Sequence, residues 1–295
     1  MNETPIVFDC AGEPLIGILA TPAVPAAIGV VIVVGGPQYR VGSHRQFVEL
    51  CRGLAERGIA CLRFDCRGMG DSADEQRGFE SIDADVAAAV DCLIGAVPSL
   101  EGVVLWGLCD GASASLMYAP SDARVVGVVA LNPWVRSHET LAAARVDHYY
   151  KQRLRSKEFW RRLLGGEIAL GRAIAGYAAA MMTKLAGRRS SKRSGPAKAT
   201  HFTDRMEAGW RHLEDRVLIV LSGRDLTAQE FVGFCKQRPA WQGALRAGPN
   251  LTELADADHT FSRNEWKRTV EEITARWVMS RVDCGPARRA NAEDR

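Results

Sequence analysis

The sequence predicts an α/β fold with a mostly parallel central sheet flanked by helices. Short apolar runs rich in valine, isoleucine and leucine alternate with segments of helical periodicity along most of the 295 residues. Several runs are continuously apolar, as at residues 29–34, which is the pattern of strands buried on both faces of a sheet. Strands that alternate with helices in this way form parallel sheets through right-handed crossovers.

The predicted elements follow in a regular order. Two short runs near the N-terminus, residues 5–8 and 15–19, predict a small antiparallel strand pair. Further strands are predicted at residues 29–34, 59–64, 102–106, 125–131, 217–221 and 251–254. Helices are predicted between and after them at residues 47–55, 82–97, 112–118, 229–235 and 264–282.

A basic segment interrupts this alternation after the sixth strand. Residues 145–216 contain 17 Lys and Arg against seven Asp and Glu, although the formal net charge of the whole chain is only +3. We therefore predict a core of residues 1–140 and 217–282, a helical basic lid at 141–216, and a frayed, disordered tail at 283–295. The lid could bind an anionic group of the substrate, make peripheral contact with an anionic membrane, or be a solvated helical surface.

The composition is that of a globular protein. Hydrophobic residues make up 47% and charged residues 25% of the chain, which excludes a disordered chain, a collagen and a polytopic membrane protein. The small net charge does not indicate a nucleic-acid partner. The N-terminus lacks the features of a signal peptide, no apolar run is long enough for a transmembrane segment, and eight cysteines are too sparse for a disulfide scaffold. We expect a cytoplasmic protein with reduced thiols, and the sequence leaves the oligomeric state open.

The strongest chemical signal is the sequence GLCDG at residues 107–111, between a predicted buried strand and a helix of small residues. It has the G-x-S-x-G form of a nucleophile elbow, with Cys109 where serine is usual. The glycines allow neighbouring backbone to pass closely, and the N–H groups of a helix N-terminus favour negative charge on a nucleophile and on an oxyanion. A buried structural cysteine in a tight turn is the alternative interpretation.

A histidine and an aspartate that could serve this nucleophile follow later strands. Asp225 comes at the end of the seventh predicted strand and His259 follows the eighth, so the chain order is nucleophile, acid, histidine. All three lie at carboxyl ends of strands, the edge where α/β sheets place their sites. We therefore predict Cys109, His259 and Asp225 as a catalytic triad. Asp256 and Asp258 are less suitable acids because they are so close in sequence to the histidine.

Two glycines after the third strand predict an oxyanion hole. A glycine N–H can approach a substrate oxygen closely, so the N–H groups of Gly36 and Asp110 are the candidate donors, with Gln38 as the second choice for Gly36. Gln38 and His44 are also candidate substrate contacts, although the position of His44 after Gly42 and Ser43 at a helix start favours a residue of the helix cap. No cysteines and histidines have the spacing of a metal site, and neither a metal nor another cofactor is expected.

Taken together, these motifs resemble the α/β-hydrolase superfamily over all of the chain except the tail. The resemblance rests on the sequences at residues 65–72 and 107–111, the Asp225 turn and the His259 loop. It implies the α/β-hydrolase fold with a helical lid inserted after the sixth strand. The glycine- and acid-rich turn at residues 65–72 is predicted to be structural, with Arg67 anchoring neighbouring loops.

Two segments carry a closer resemblance within that superfamily. Residues 33–47 (VVGGPQYRVGSHRQF) and 107–113 (GLCDGAS) are similar to the exosortase A system-associated hydrolases of the first type. This resemblance implies a bacterial cytoplasmic protein encoded beside exopolysaccharide and protein-sorting genes, with an undetermined substrate.

Two departures from the superfamily pattern bear on function. Cys109 replaces serine, as in dienelactone hydrolases, and Val34 stands where a histidine usually precedes the glycine pair. Thiolates expel alkoxide and thiolate groups readily, so we expect hydrolysis of an ester or thioester through a covalent acyl-enzyme, on a small-molecule or carrier-linked acyl substrate. Two alternatives stay open: acyl transfer to a sugar or other acceptor, and a catalytically silent hydrolase fold that acts as a scaffold.

Overall fold

The computed structural model describes residues 1–36, 38–136, 201–246 and 248–282, and it has the predicted α/β architecture. Eight strands form one sheet in the order β1-β2-β4-β3-β5-β6-β7-β8. The strands are β1 (Asn2–Cys10), β2 (Glu13–Thr21), β3 (Ile28–Val33), β4 (Cys61–Phe64), β5 (Gly102–Leu108), β6 (Val125–Leu131), β7 (Val217–Ser222) and β8 (Leu251–Leu254). The pairs β1–β2 and β2–β4 are antiparallel, and the other neighbouring pairs are parallel.

Helices flank this sheet. In the described parts of the chain they are α1 (Gln46–Glu56), α2 (Asp83–Ala96), α3 (Asp110–Tyr118), α4 (Phe202–Leu213), α5 (Leu226–Gln237) and α6 (Asn264–Val282). Strands β3, β4, β5 and β7 are buried along their whole length, which explains why their sequences are largely apolar instead of alternating. The predicted fold class is therefore confirmed. No helix in these described ranges is long and apolar enough to cross a membrane.

Helix α4 packs as a core helix. Its residues Phe202 and Leu213 are buried, and Gly209 brings its backbone against α3. A Cβ added to Gly209 would lie 1.8 Å from the carbonyl oxygen of Leu116, so only glycine allows this approach. Residues 201–216 contain three Arg against four Asp and Glu, so the basic surplus of the predicted lid lies before this helix.

This packing corrects the boundary of the predicted lid. The described residues 1–134 and 201–282 belong to one compact unit. Residues 201–216 therefore belong to the core unit and not to the lid. The rest of the predicted lid, residues 141–200, and the predicted tail at 283–295 lie outside the described residues.

The turn after β4 holds the loop that follows β3. Asp65 is fully buried, and its carboxylate accepts hydrogen bonds from the Arg40 N–H at 2.6 Å and the Asp71 N–H at 3.0 Å. The Arg40 guanidinium pairs with the same carboxylate. Gly70 has a φ of 55°, and a Cβ there would lie 2.2 Å from Asp65 Oδ2. The loop between β3 and α1 is thereby tied to the neighbouring strand end.

Arg67 of the same turn binds helix α2. Its backbone N–H, Nε and Nη2 donate to the carboxylate of Asp85 at 2.8, 3.1 and 2.9 Å. Both residues are buried. A buried bidentate pair offsets the cost of desolvation only while both partners are present. The anchoring role predicted for Arg67 thus has a specific partner in the structure.

We expect Arg67→Met to lower the free energy of unfolding by about 3–5 kcal/mol, because it leaves the Asp85 carboxylate buried without its cation. Adding Asp85→Leu should restore most of that loss, since two apolar side chains then pack together. Urea denaturation followed by circular dichroism measures both variants. An Arg67→Met variant as stable as the unaltered protein would show that this pair does not hold α2 to the turn.

Candidate active site

Cys109 occupies a strained turn between β5 and α3. Its φ of 60° and ψ of −121° are unusual for a residue with a side chain. The Cys109 N–H donates to the Leu131 carbonyl at 2.9 Å, and the Cys109 carbonyl accepts from the N–H groups of Ser113 and Trp134, both at 3.2 Å. The thiol is half-buried. This geometry places it at the carboxyl edge of the sheet, where the elbow motif predicts it.

Three glycines permit this turn. A Cβ added to Gly107 would lie 2.4 Å from the carbonyl carbon of Gly111, and one added to Gly111 would lie 2.4 Å from the carbonyl oxygen of Val33. A Cβ on Gly35 would lie 2.0 Å from the Asp110 carboxylate. The ends of β3 and β5 and the start of α3 can approach this closely only because these positions lack side chains.

His259 and Asp225 meet at the same edge. The Nδ1 atom of His259 lies 2.8 Å from Oδ2 of Asp225. The Asp225 carboxylate is buried and caps the N-terminus of α5, where it accepts hydrogen bonds from the N–H groups of Thr227 and Ala228, both at 3.1 Å. Helix α5 therefore orients the carboxylate, and the carboxylate orients the imidazole.

The imidazole of His259 also interacts with the thiol of Cys109. The hydrogen bond to Asp225, together with that to Cys109, raises the pKa of His259 to about 10, against the opposing effect of burial. The imidazolium is therefore the main form at neutral pH, which places a positive charge beside the Cys109 thiol. The structure thus brings the three predicted triad residues together.

The two less suitable acids have other partners. The carboxylate of Asp258 accepts a hydrogen bond from the Ser262 N–H at 3.0 Å. Asp256 forms an exposed ion pair with Arg224 at 2.8 Å. Asp225 is accordingly the carboxylate that contacts the His259 ring.

Two polar residues that the sequence analysis did not single out hold the His259 loop. Asn132 follows β6 and is fully buried, and its Nδ2 donates to the Ser222 hydroxyl at 2.8 Å and to the His259 carbonyl at 3.1 Å. The Ser222 hydroxyl in turn donates to the Asp258 carbonyl at 2.8 Å. A polar side chain at the end of a buried apolar strand was the available signal for both residues.

The Gly36 N–H, one of the two predicted oxyanion donors, is already hydrogen-bonded to the Asp110 carboxylate. The Gly36 N–H, at a φ of 59°, donates to Oδ2 of Asp110 at 2.7 Å, and the Gly111 N–H donates to Oδ1 at 3.1 Å. Burial raises the pKa of the Asp110 carboxyl, and these N–H groups oppose that shift. The sequence analysis considered only the backbone of Asp110. In this conformation the Asp110 carboxylate already accepts the hydrogen bond of the Gly36 N–H.

A cavity of about 360 Å³ lies beside Cys109, a size typical of small-molecule sites. Its apolar wall is formed by Phe47, Phe79, Leu108 and Trp134. The polar lining comes from Gln38, Asp110 and His259, together with the backbone of Gly35 and Gly36. Gln38 therefore lies at a position suited to substrate contact.

His44, the other predicted substrate contact, is not among the described residues that line this cavity. Its backbone adopts a φ of 52° in the short turn before α1, and its carbonyl accepts a hydrogen bond from Lys267 Nζ at 3.3 Å. The substrate contact of His44 therefore stays a prediction, and the structure places its backbone in the turn before α1. Within the described ranges, no group of three or more His, Cys, Asp or Glu is arranged to hold a metal ion.

Comparison with known proteins agrees with this architecture. The sequence model of the Alpha/beta hydrolase family matches residues 30–272. The chain belongs to this family. An esterase from Pyrococcus furiosus is 17% identical, with a TM-score of 0.56 over 94% of this chain and 93% of that chain. The α/β hydrolase GrgF from Penicillium sp. sh18 is 16% identical, with a TM-score of 0.59 over 94% and 98% of the two chains. Likeness at these identities concerns the fold alone.

Among curated proteins, a polyketide transferase named grgF, from a Penicillium species, is similar to part of this α/β hydrolase. The two are 29% identical over 109 residues. The match covers 34% of this chain and 36% of the transferase, so it spans only about a third of that relative's length.

We expect Asp225→Asn to change how Cys109 reacts with iodoacetamide. In the unaltered protein the pKa of His259 is raised to about 10, so its imidazolium keeps a positive charge beside Cys109 between about pH 7 and 9. The variant loses the carboxylate, its His259 pKa falls towards the ordinary value, and the rate at pH 7 should drop about tenfold. Peptide mass spectrometry measures the rate at Cys109.

The half-buried Cys92 provides an internal reference in the same samples, because its alkylation should be equal in the two proteins. Identical pH–rate profiles for Cys109 in both proteins would contradict the proposed coupling between Asp225, His259 and the thiol.

Proposed function

We propose that this α/β hydrolase cleaves an ester or thioester through a covalent acyl-enzyme on Cys109. The observation that carries the proposal is the 2.8 Å contact between His259 and Asp225, with the same imidazole interacting with the thiol. A base held by a capped carboxylate and placed against a cysteine on a strained elbow is the arrangement that nucleophilic catalysis needs. A scaffold would need none of these contacts.

The proposed reaction begins with attack by the Cys109 thiolate on the carbonyl carbon of the substrate. A carbon–sulfur bond forms and the carbonyl electron pair moves to oxygen. When that oxyanion collapses, the bond to the alkoxide or thiolate leaving group breaks, and the His259 imidazolium gives its proton to the leaving group. The neutral imidazole then removes a proton from water, which attacks the thioester and releases the acid and the Cys109 thiolate.

The oxyanion would form near the start of α3. The Asp110 N–H belongs to the first turn of this helix, where unpaired N–H groups and the helix dipole stabilise negative charge. A second donor from the loop after β3 would complete the hole. Gly36 can take this role only when the Asp110 carboxylate releases its N–H.

Mixing the protein with p-nitrophenyl butyrate should produce a burst of p-nitrophenol equal to one equivalent of enzyme. Intact-mass spectrometry of the quenched sample should show one added butyryl group on Cys109. We expect Cys109→Ala to lose the burst and the adduct, and to lower kcat/KM by about 10³-fold or more.

Cys92→Ala is the matched control. Cys92 is also a half-buried thiol, but it lies on helix α2 and is not among the described lining residues of the cavity beside Cys109. It should retain both the burst and the adduct. Turnover that is equal in Cys109→Ala and the unaltered protein, or no adduct with any ester or acyl thioester, would favour the scaffold interpretation.

Acyl transfer is the second candidate function. The curated relative named a polyketide transferase favours it, and so does the chemistry, because a thioester on Cys109 can be attacked by a hydroxyl in place of water. The resemblance to exosortase A system-associated hydrolases supports a link to exopolysaccharide production and an acylated or acyl-accepting saccharide. We place the reaction in the cytoplasm, where reducing conditions keep Cys109 as a thiol.

Partition of the acyl-enzyme distinguishes hydrolysis from transfer. With p-nitrophenyl butyrate and a panel of monosaccharides, a hydrolase should release butyrate at a rate independent of the sugar. A transferase should form a butyryl sugar in place of butyrate, as measured by liquid chromatography and mass spectrometry.

A further inference from the structure

The polar side chains of the cavity beside Cys109 present hydrogen-bond acceptors that the catalytic triad does not use. The Oε1 atom of Gln38 is buried and accepts no hydrogen bond in the described parts of the chain. The Asp110 carboxylate lines the same cavity, and its described hydrogen-bond donors are the backbone N–H groups of Gly36, Gly111 and Asp110 itself. The remaining wall is largely aromatic and aliphatic.

An unpartnered buried acceptor is unfavourable for the free protein. A buried carbonyl oxygen that has lost water and gained no donor leaves its desolvation cost uncompensated. A ligand that brings a hydroxyl or N–H to Gln38 recovers this cost, whereas an apolar ligand does not. The cavity wall near Gln38 therefore selects for a donor on the ligand.

The Asp110 carboxylate strengthens this preference. It occupies the space left by the absent side chain of Gly35, where a Cβ would lie 2.0 Å from Oδ1. A carboxylate has about four lone-pair sites, and backbone N–H groups fill three of them. It can accept a further donor, and its charge disfavours an anionic group at this end of the cavity.

We propose that the acyl group carries a hydrogen-bond donor, a hydroxyl or an amide N–H, close to the carbonyl that Cys109 attacks, and that Gln38 and Asp110 accept it. This inference rests on the proposed function. Gln38 lies two residues after Gly36, and Asp110 follows Cys109 directly, so both acceptors flank the place where the oxyanion forms. A donor that engages the Asp110 carboxylate also weakens its hold on the Gly36 N–H, which becomes available to the oxyanion.

The test compares p-nitrophenyl 3-hydroxybutyrate with p-nitrophenyl butyrate, two esters that differ by one hydroxyl. For the unaltered protein we expect kcat/KM to be at least about tenfold higher for the hydroxy ester. Gln38→Met keeps the length of the side chain and removes the acceptor, so the ratio of the two kcat/KM values should fall towards one.

Two further variants separate this role from others. Gln38→Glu keeps an oxygen acceptor and removes the amide donor, and it should retain the preference for the hydroxy ester. Gln76→Met alters an exposed glutamine in the turn after β4 and should leave both rates unchanged. Equal loss with both esters in Gln38→Met and Gln38→Glu would make the amide an oxyanion donor and overturn the proposal, as would a ratio of one in the unaltered protein.

Binding to Cys109→Ala keeps this proposal distinct from the proposed function. Methyl 3-hydroxybutyrate and methyl butyrate can be titrated against this variant with detection by NMR, and no acyl-enzyme is required. The hydroxy ester should bind at least about fivefold more tightly, and adding Gln38→Met should remove the difference. Equal binding of the two esters would overturn the donor preference, whereas failure of acylation with the preference intact would overturn only the covalent mechanism.

Discussion

The close approach of three backbone segments beneath Cys109 is the constraint on which the site depends. The end of β3, the end of β5 and the start of α3 meet at Gly35, Gly107 and Gly111, and none of these positions has room for a Cβ. Cys109 can adopt its positive φ because the residues two positions before and after it, Gly107 and Gly111, have no side chains. The same crossing brings the loop after β3 against the first turn of α3, so the nucleophile and the candidate oxyanion donors share one structural cause.

The opposite wall of the site depends on polar contacts between strand ends. Gly223 approaches the Ala255 carbonyl so closely that a Cβ would lie 2.1 Å from its oxygen, which joins the loops after β7 and β8. Asn132 extends the connection to β6 through the Ser222 hydroxyl and the His259 carbonyl. These contacts hold the His259 ring at Asp225, and the raised pKa of His259 is a consequence of that position.

The parts of the structure that sequence could predict are those with a local cause. Strands buried on both faces produce continuous apolar runs, and Cys109 is recognised because its elbow needs glycines at fixed spacing. The carboxylate of Asp110 at the Gly36 N–H could not be predicted, since it depends on two segments that are 74 residues apart in sequence. The sequence assigns helix α4 to the lid because the basic surplus is counted over all of residues 145–216, and this count does not reveal the buried face of Phe202 and Leu213. Asn132 resembles any turn residue until the His259 loop packs against it.

The occupied Gly36 N–H is compatible with a cysteine nucleophile for an electrostatic reason. A serine must lose its proton during attack, so its base and its oxyanion hole have to act together in one transition state. In the proposed mechanism Cys109 attacks as the thiolate, and the His259 imidazolium that donates the proton to the leaving group is the main form at neutral pH before substrate binds. The resting site can therefore keep one oxyanion donor paired with Asp110 without losing its activated nucleophile. When substrate reacts, the Gly36 N–H has to leave the Asp110 carboxylate and donate to the oxyanion instead. In this mechanism a donor group of the substrate that binds Asp110 favours the exchange, and such donor groups therefore determine the rate.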